Sequence, residues 1–439
     1  MQSQQRASAL SQLDAFFVAY QERTGILMQH GVEVEIKGEL QPQHVEEALA
    51  YLLCRWPRLG QTLRSGVAGL TWSGDCLLKE MLQTADGNGA VSRWRNKPLD
   101  PFREPPFQIL CIYGREKSTL AFRAHHALTD GEALFALCAD ALRVLARLSN
   151  NERLPAPNIA AGLKLTELIS PSRLLRQKKL PGMWRYTRWL AAEAKAGRSM
   201  PLKMRACHPG EIATCERMLD AAACERIKQR AVKASVTPAW LCAAAWVRAI
   251  GAWNTAQQVT APGRQVSLEV PVSLRPRRDG KDAIGNFVSP LILFADPIEP
   301  LEKIAREMQE QLKTGLRQRS HLGVPLFTTP ARYLPWPLFR RLAVNQSSTG
   351  FATSHFTWLE QNTHIYSEVE KLSGGALQLL DHHIYTPVCL HMGAALAAVV
   401  LAGGTKLSLT YRLTGFSSLD AEKLLDTVVA ELHDESQSS

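Results

Sequence analysis

The nine cysteines of this chain lack a pairing pattern, since no two of them stand in a CxxC spacing or at a regular interval. An odd number without a framework argues against a disulfide scaffold and favours reduced thiols in a cytosolic setting. The first ten residues are polar and lack the apolar core of a signal peptide, and we find no internal repeat and no low-complexity run. At 46% hydrophobic and 21% charged residues, the 439-residue composition is that of a soluble globular chain that can hold two lobes.

Long apolar runs are also scarce, and residues 387–404 are the stretch whose length and composition raise the question of a transmembrane helix. They contain His391 and three glycines, and an alternating segment, 406–411, follows them. Two buried strands joined at Gly403-Gly404 explain this pattern better than a helix that spans a bilayer.

Residues 125–131, His-His-Ala-Leu-Thr-Asp-Gly, are the most informative segment of the chain. The alternation of residues 119–124 before them predicts a strand, and the helical spacing of apolar residues in 132–148 predicts a helix. Thr129 or Asp130 would cap that helix. The histidine pair is therefore predicted to lie on a tight corner between a strand and a helix, where a side chain can be aimed at a substrate.

This pattern suits general-base chemistry. Imidazole titrates near neutrality and takes a proton from an attacking hydroxyl or amine, provided that one ring nitrogen is held so that the other is free. Since no Ser or Cys lies inside the motif, direct attack by an acceptor is simpler than a covalent enzyme intermediate. A histidine pair that only packs in the core or caps the helix is the alternative.

A metal site is a further alternative at this corner. His125, His126 and Asp130 could ligate a divalent ion, but adjacent histidines on one corner rarely both reach one metal. No third His or Cys stands at a familiar ligand spacing, so we predict no metal. A second pair, His382 and His383, lacks the companion Asp-x-Asp segments of metal phosphoesterases, and we interpret it as structural or channel-lining.

The HHxxxDG pattern at 125–131 resembles the signature of the thioester-dependent acyltransferase superfamily. That group includes condensation domains of peptide synthetases, chloramphenicol-acetyltransferase-like enzymes, plant acyltransferases and wax ester/diacylglycerol synthase-like enzymes. Further segments that resemble the group are 96–102 and 105–107 before the motif, 236–238 ahead of an Ala/Trp-rich helix, and 271–276 with 285–287 in the second half. In their order and spacing these segments cover nearly the whole chain.

The resemblance implies an α/β (α+β) fold of two chloramphenicol-acetyltransferase-like lobes, each a mixed sheet with helices, and an active-site channel between them. The lobes would be residues 1–206, with the motif and a basic connector, and residues 207–439. A thioester of CoA or of carrier-bound phosphopantetheine would be the co-substrate, and no cofactor would be bound permanently. We expect a cytoplasmic monomer without a nucleic-acid partner, because no nucleic-acid motif accompanies its basic residues.

The resemblance also assigns roles to residues. His126 would be the general base, with His125 and Asp130 completing the predicted catalytic group. Of these two, His125 would be structural, and Asp130 would hold the loop by pairing with an arginine. Gly131 would let the backbone turn tightly near the substrate, and Asn286 would support the motif from the second half.

The chain departs from the family pattern at several points. Many relatives carry the arginine that pairs with the motif aspartate where this chain has Gly60. Arg275 is our candidate for that role, Arg64 is a possible substitute, and a solvated loop arginine is an equal alternative for Arg275. Ser354 and His355 occupy the place of a Ser-Asn segment of lipid-type members and are candidates for lining the channel. No segment like Asp-Phe-Gly-Trp-Gly is found, which favours a stand-alone acyltransferase over a peptide-bond-forming module.

Residues 173–205 hold ten basic side chains and a single acid, Glu193, so the segment carries +9 of the chain's net charge of +10. Trp184, Tyr186 and Trp189 stand between these charges. Three interpretations are open: a solvated connector whose tryptophans pack on a lobe, a surface for anionic membranes, or a patch for CoA phosphates or an acidic carrier protein.

The sequence therefore favours an acyltransferase that moves an acyl group from a CoA or carrier-protein thioester to a hydroxyl or amine. An idle condensation-like module that binds a carrier protein or a lipid is the alternative from another class, and an intact second histidine argues against it. A metal hydrolase is a third hypothesis. The acyl chain length and the acceptor are not readable from the sequence.

Overall fold

Two mixed β-sheets, each covered by helices, build the two lobes. The computed structural model describes residues 8–66, 69–74, 78–87, 89–158, 180–196, 199–259, 265–275, 284–328, 331, 333–343, 352–360 and 364–434. The predicted α/β architecture of two sheet-and-helix lobes is confirmed.

The first half of the chain supplies most of the first lobe. Its strands are β1 (Ser8–Ala9), β2 (Gln29–Lys37), β3 (Thr62–Gly66), β4 (Gly69–Ser73), β5 (Leu82–Thr84), β6 (Phe107–Ile112) and β7 (Lys117–His125). Its helices are α1 (Gln12–Thr24), α2 (Pro42–Arg55), α3 (Leu78–Met81), α4 (Ala90–Asn96) and α5 (Gly131–Ser149). The main sheet runs β2-β7-β6-β5, and a separate small antiparallel sheet runs β1-β4-β3. Helices α2 and α5 pack on each other through leucines such as Leu49 and Leu137. The strand and helix predicted on either side of the motif are β7 and α5.

The basic helix α6 (Leu180–Ala196) belongs to the connector that leads to the second half. The helices of the second half are α7 (Ala221–Lys233), α8 (Pro238–Ala256), α9 (Leu301–Gln318), α10 (Gly323–Thr328), α11 (Trp336–Ala343), α12 (Ile365–Leu372) and α13 (Ser418–His433). Its strands are β8 (Ile212–Asp220), β9 (Val266–Ser273), β10 (Val288–Ala295), β11 (Ser354–Leu359), β12 (Gln378–Tyr385), β13 (Ala394–Leu401) and β14 (Gly404–Arg412). The second sheet runs β10-β9-β11-β13-β14-β8, and the apolar helix α8 is buried against it.

The two halves of the chain interlock, because β12 belongs to the first sheet and pairs antiparallel with β2. Leu379 and Ile384 of β12, together with residues of α11 and α12, pack in the core of the first lobe. The predicted boundary at 206/207 therefore follows the order of the chain but not the packing of the lobes. Without β12, strand β2 would be an open edge of the first sheet.

The apolar stretch 387–404 leads into a β-hairpin. β13 and β14 pair antiparallel and are joined by a turn at Ala402-Gly403, and both strands are largely buried. This confirms the prediction of two strands. Across the described ranges, no helix has the length and apolar content needed to cross a bilayer.

His382 and His383 are structural residues of β12. The Tyr366 hydroxyl lies 2.7 Å from His382 Nδ1, and His383 Nδ1 lies 2.7 Å from a Glu216 carboxylate oxygen on β8. The hydrogen bond to Glu216 raises the pKa of His383, which favours a charged imidazolium in this contact between the two sheets. Their sequence-based interpretation as structural residues is confirmed.

Candidate active site

The motif lies where β7 ends at His125 and α5 begins at Gly131. Asp130 is the N-cap of α5, and its Oδ1 accepts a hydrogen bond of 2.9 Å from the Ala133 amide. Thr129, the other capping candidate, instead bonds His30 Nε2 at 3.0 Å through its hydroxyl. Asp130 therefore caps the helix that follows the corner, and the buried contact of Thr129 with His30 holds the corner in place.

Asp130 is paired with Arg275, as the sequence analysis expected. Two guanidinium nitrogens each lie 2.8 Å from a carboxylate oxygen, and the side chains are only 2% and 5% exposed. The Phe287 amide also donates to Asp130 Oδ2 at 2.7 Å. Arg64, the other candidate, is an exposed residue of β3. Since Arg275 follows β9 and Phe287 precedes β10, this carboxylate ties the motif to the second lobe.

His125 is held inside the first lobe. Its side chain is buried, and Nδ1 accepts a hydrogen bond of 3.1 Å from the Ala127 amide. Burial lowers its pKa to about 3, which keeps the ring neutral. These contacts assign His125 to holding the shape of the corner.

His126 lies at the interface between the lobes, and its ring is held by aromatic contacts. It stacks on Phe17 of α1 with a centroid distance of 4.0 Å and an interplanar angle of 8°, and the edge of His30 meets it at 4.9 Å. Asn286 Nδ2 donates to the His126 carbonyl at 3.0 Å and lies 3.4 Å from Nδ1. Asn286 thus supports the motif from the second half.

Burial lowers the pKa of His126, and the charge of His355 lowers it further. A hydrogen bond to its own backbone and the charges of Asp130 and Glu269 raise it in part. His126 is therefore a neutral imidazole at neutral pH, the form that can accept a proton.

We expect the acid limb of the pH profile of kcat/KM to lie below pH 6.5, the ordinary value of a histidine. A lowered pKa means that the neutral base persists to lower pH, and activity falls only when His126 becomes protonated. The measurement is thiol release between pH 5 and 8, with circular dichroism at each pH to confirm that the protein stays folded. An inflection above 6.5 would contradict the burial argument.

Ser354 does not line the interface between the lobes, which corrects the sequence-based expectation. Its side chain is fully buried, the Trp246 indole donates to its Oγ at 3.0 Å, and Oγ donates to the Ala394 carbonyl at 2.6 Å. Because side chains alternate along β11, His355 points to the opposite face of the sheet. There His355 Nδ1 lies 3.8 Å from Oε1 of Glu269 on β9.

Gly131 also differs from its expected role. Its φ is not positive, so the backbone turn does not require glycine, and a Cβ there would meet no described atom within 4 Å. Gly131 is therefore not needed for a tight backbone turn, and no described atom occupies the space beside it at the start of α5.

Sequence reasoning missed Phe17, His30 and Glu269. The first two lie about 100 residues before the motif, in segments whose patterns indicate only a helix and a strand. Glu269 had one local signal, since it is the single charged residue of the strand Val266–Ser273.

The candidate ligand atoms at the corner are not available to bind a metal ion. Both oxygens of Asp130 are used by Arg275 and by backbone amides, and His125 Nδ1 accepts from a backbone amide. Over the described part of the chain, no group of three His, Cys, Asp or Glu residues is placed to hold an ion. The metal-hydrolase hypothesis therefore has no ligand cluster to rest on among these residues.

Solved structures share this architecture over nearly the whole chain. The condensation domain of the monacolin K polyketide synthase MokA matches with a TM-score of 0.72 at 12% identity, covering 98% of this chain and 97% of that one. The first condensation domain of the calcium-dependent antibiotic synthetase, in complex with a substrate analogue, matches with a TM-score of 0.69 at 14% identity, covering 98% and 96%. A mutant starter condensation domain of rhizomide synthetase RzmA, in complex with C8-CoA, matches with a TM-score of 0.69 at 15% identity, covering 98% and 96%.

By sequence, no protein-family model and no curated protein matches the chain. At identities this low the structural likeness establishes the fold, while the chemistry has to be argued from the site. The two interlocked lobes, with the histidine motif between them, match these domains from end to end. The chain has the condensation-domain fold, the architecture that the resemblance of its HHxxxDG segment implies.

Proposed function

We propose that this protein is an acyltransferase that moves an acyl group from a thioester of CoA or a carrier protein to a hydroxyl or amine acceptor. The observation that carries the proposal is the placement of His126. Its neutral ring is fixed between the lobes by Phe17 and Asn286, and the buried pair of Asp130 and Arg275 holds the corner beneath it. The C8-CoA and substrate-analogue complexes of domains with the same fold support a thioester donor.

The reaction needs a single base at this position. A hydrogen bond of the His126 ring to its own backbone holds one ring nitrogen and leaves the other to take the proton from the acceptor. The acceptor oxygen or nitrogen then forms a bond to the thioester carbonyl carbon, and the tetrahedral intermediate collapses with cleavage of the carbon–sulfur bond. The protonated His126 returns the proton to the leaving thiolate, so the ring is neutral again after each turnover.

The test is release of free thiol from acyl-CoAs of increasing chain length, with alcohols and amines as acceptors, in the wild type and in His126→Ala. Release that requires an acceptor and is lost in the variant supports the proposal and identifies the donor length. If no CoA donor reacts, acyl-phosphopantetheine on a carrier protein is tried next. Failure of both donor types would leave the idle binding module as the better hypothesis.

We further propose that helix α6 contacts an anionic membrane surface. Trp184 and Trp189 are 51% and 42% exposed, and Arg185 and Arg188 beside them are exposed, whereas Met183 and Leu190 face the protein. Trp189 packs in part against Phe294 of β10, with a centroid distance of 5.1 Å, and the parts of both tryptophan rings that stay exposed support the membrane interpretation. Of the other basic residues of this segment, Arg173, Arg176, Lys178, Lys179 and Arg198 lie outside the described residues.

The double variant Arg185→Gln/Arg188→Gln is expected to bind anionic liposomes about thirtyfold more weakly, since each basic residue near such a surface contributes about 1 kcal/mol. Sedimentation with vesicles that contain phosphatidylserine measures the binding. The control is Arg103→Gln/Arg115→Gln, two exposed arginines of the first lobe. Equal loss in both variants, or no binding by the wild type, would reject the α6 surface.

A further inference from the structure

One face of the second sheet looks toward the first lobe, and Glu269 and His355 lie next to each other on it. Side chains alternate along a strand, so Leu268 and Phe356 point toward α8 while their neighbours Glu269 and His355 point the other way. Glu269 lies opposite Ile292 of β10 and His355, and His355 lies beside Ala395 of β13. These four residues therefore share one face of the sheet.

The contacts of β13 establish which way this face looks. Ala397 and Val399, further along the same side of that strand, pack in the core of the first lobe. Ile292 and Ala395 belong to a small apolar cluster, with Cys389 packed against it. Glu269 and His355 thus lie between the lobes in mostly apolar surroundings, on the side where His126 lies.

In the part of the chain that the structure describes, no lysine or arginine forms an ion pair with Glu269. Its side chain is 31% exposed, and its ion-pair contact is His355 at 3.8 Å. By contrast, the acids of the motif, Asp130 and Glu132, are paired with Arg275. A partly buried carboxylate without a lysine or arginine partner costs free energy, and a positive ligand would offset this cost.

Glu269 also acts on the reaction centre. Its negative charge opposes the lowering of the pKa of His126 and contributes to the raised pKa values of Tyr186 and Cys389. Burial keeps His125 and His30 neutral, so neither supplies a positive charge to this region. A cation bound at Glu269 would therefore lie on the sheet face that looks toward the first lobe, where its charge acts on His126.

We propose that Glu269, positioned by His355, binds an ammonium group of the acceptor, which makes the acceptor a diamine or an amino alcohol. This inference rests on the proposed acyltransferase function. The bound ammonium keeps its proton, and the second amine or the hydroxyl of the same molecule is the group that His126 deprotonates. A carboxylate repels the phosphates of CoA, so the site belongs to the acceptor and not to the donor.

The kinetic test compares acceptors of equal length with and without the second amine: putrescine with butylamine, and aminobutanol with butanol. The wild type is expected to prefer the cationic member of each pair in kcat/KM, and Glu269→Gln is expected to lower that preference about tenfold or more, the size of a charge-assisted hydrogen bond. Glu225→Gln, an exposed acid of α7, is the matched control and should keep the wild-type preference.

A binding measurement separates this inference from the proposed function. Calorimetric titration with putrescine is done on the wild type, His126→Ala and Glu269→Gln, without any acyl donor. Binding that is kept in His126→Ala and lost in Glu269→Gln supports the ammonium site even if no donor is found to react. Equal binding by Glu269→Gln and the wild type, or no binding by the wild type, overturns the site. Acceptor-dependent thiol release without a preference for cations overturns the site but leaves the acyltransferase proposal standing.

Discussion

Replacing His126 with alanine is expected to lower acceptor-dependent thiol release about a hundred- to ten-thousand-fold, the contribution of a general base. Alanine removes the nitrogen that takes the acceptor's proton, while Phe17 and Asn286 keep their own backbone positions. Because the His126 side chain does not carry the Asp130–Arg275 pair, the corner should remain folded. The measurement is the rate of thiol release at saturating donor, with circular dichroism and thermal unfolding to confirm the fold.

His364→Ala is the matched control, since His364 is an exposed histidine at the start of α12. It should leave the rate within experimental error. An unchanged rate in His126→Ala would mean that His126 is not the base. A similar loss in both variants would point to a general effect of histidine replacement on the protein rather than to catalysis.

Asp130→Ala is expected to lower the free energy of unfolding by about 3–5 kcal/mol, the cost of breaking a buried ion pair by removing one partner. The substitution leaves the guanidinium of Arg275 buried without its carboxylate. It also removes the acceptor of the Phe287 amide and the N-cap bond to Ala133. Urea denaturation followed by tryptophan fluorescence measures the loss, and a shift of the midpoint at constant slope would indicate a pure stability effect.

Asp426→Ala is the control for this experiment. Asp426 pairs with Arg217 at 2.7 Å on the surface, with side-chain exposures of 58% and 35%, so its loss should cost about 0–1 kcal/mol. A cost below about 1 kcal/mol for Asp130→Ala as well would contradict the view that its pair with Arg275 holds the two lobes together at the motif.

Much of the local structure around the motif was predictable from the sequence. Alternation before His125 and helical spacing after Gly131 predicted β7 and α5, because these periodicities reflect which side chains a single element buries. The hairpin of β13 and β14 was predicted on similar grounds. Asp130 as one of two candidate caps followed from the short-range pattern, and the choice of His126 over His125 as the base came from the resemblance.

Contacts between residues far apart in the chain were harder to predict from the sequence. Arg275 lies 145 residues from Asp130, and only the resemblance made it a candidate beside Arg64. Ser354 was chosen with His355 from the same segment, yet the pleat of β11 places them on opposite faces, one against Trp246 and one between the lobes. Sequence spacing alone did not show which of these two side chains points into the core.

The sequence by itself determined the elements, the histidine corner and the chemistry that this corner suits, because these depend on neighbours within a few residues. Only the tertiary structure decided that β12 completes the first sheet, that Phe17 stacks on the ring of His126, and that Glu269 lies beside His355 in the second sheet. The physical reason is that these contacts join segments about 100 to 350 residues apart in the chain. Their formation depends on how the two sheets pack, which no local pattern encodes.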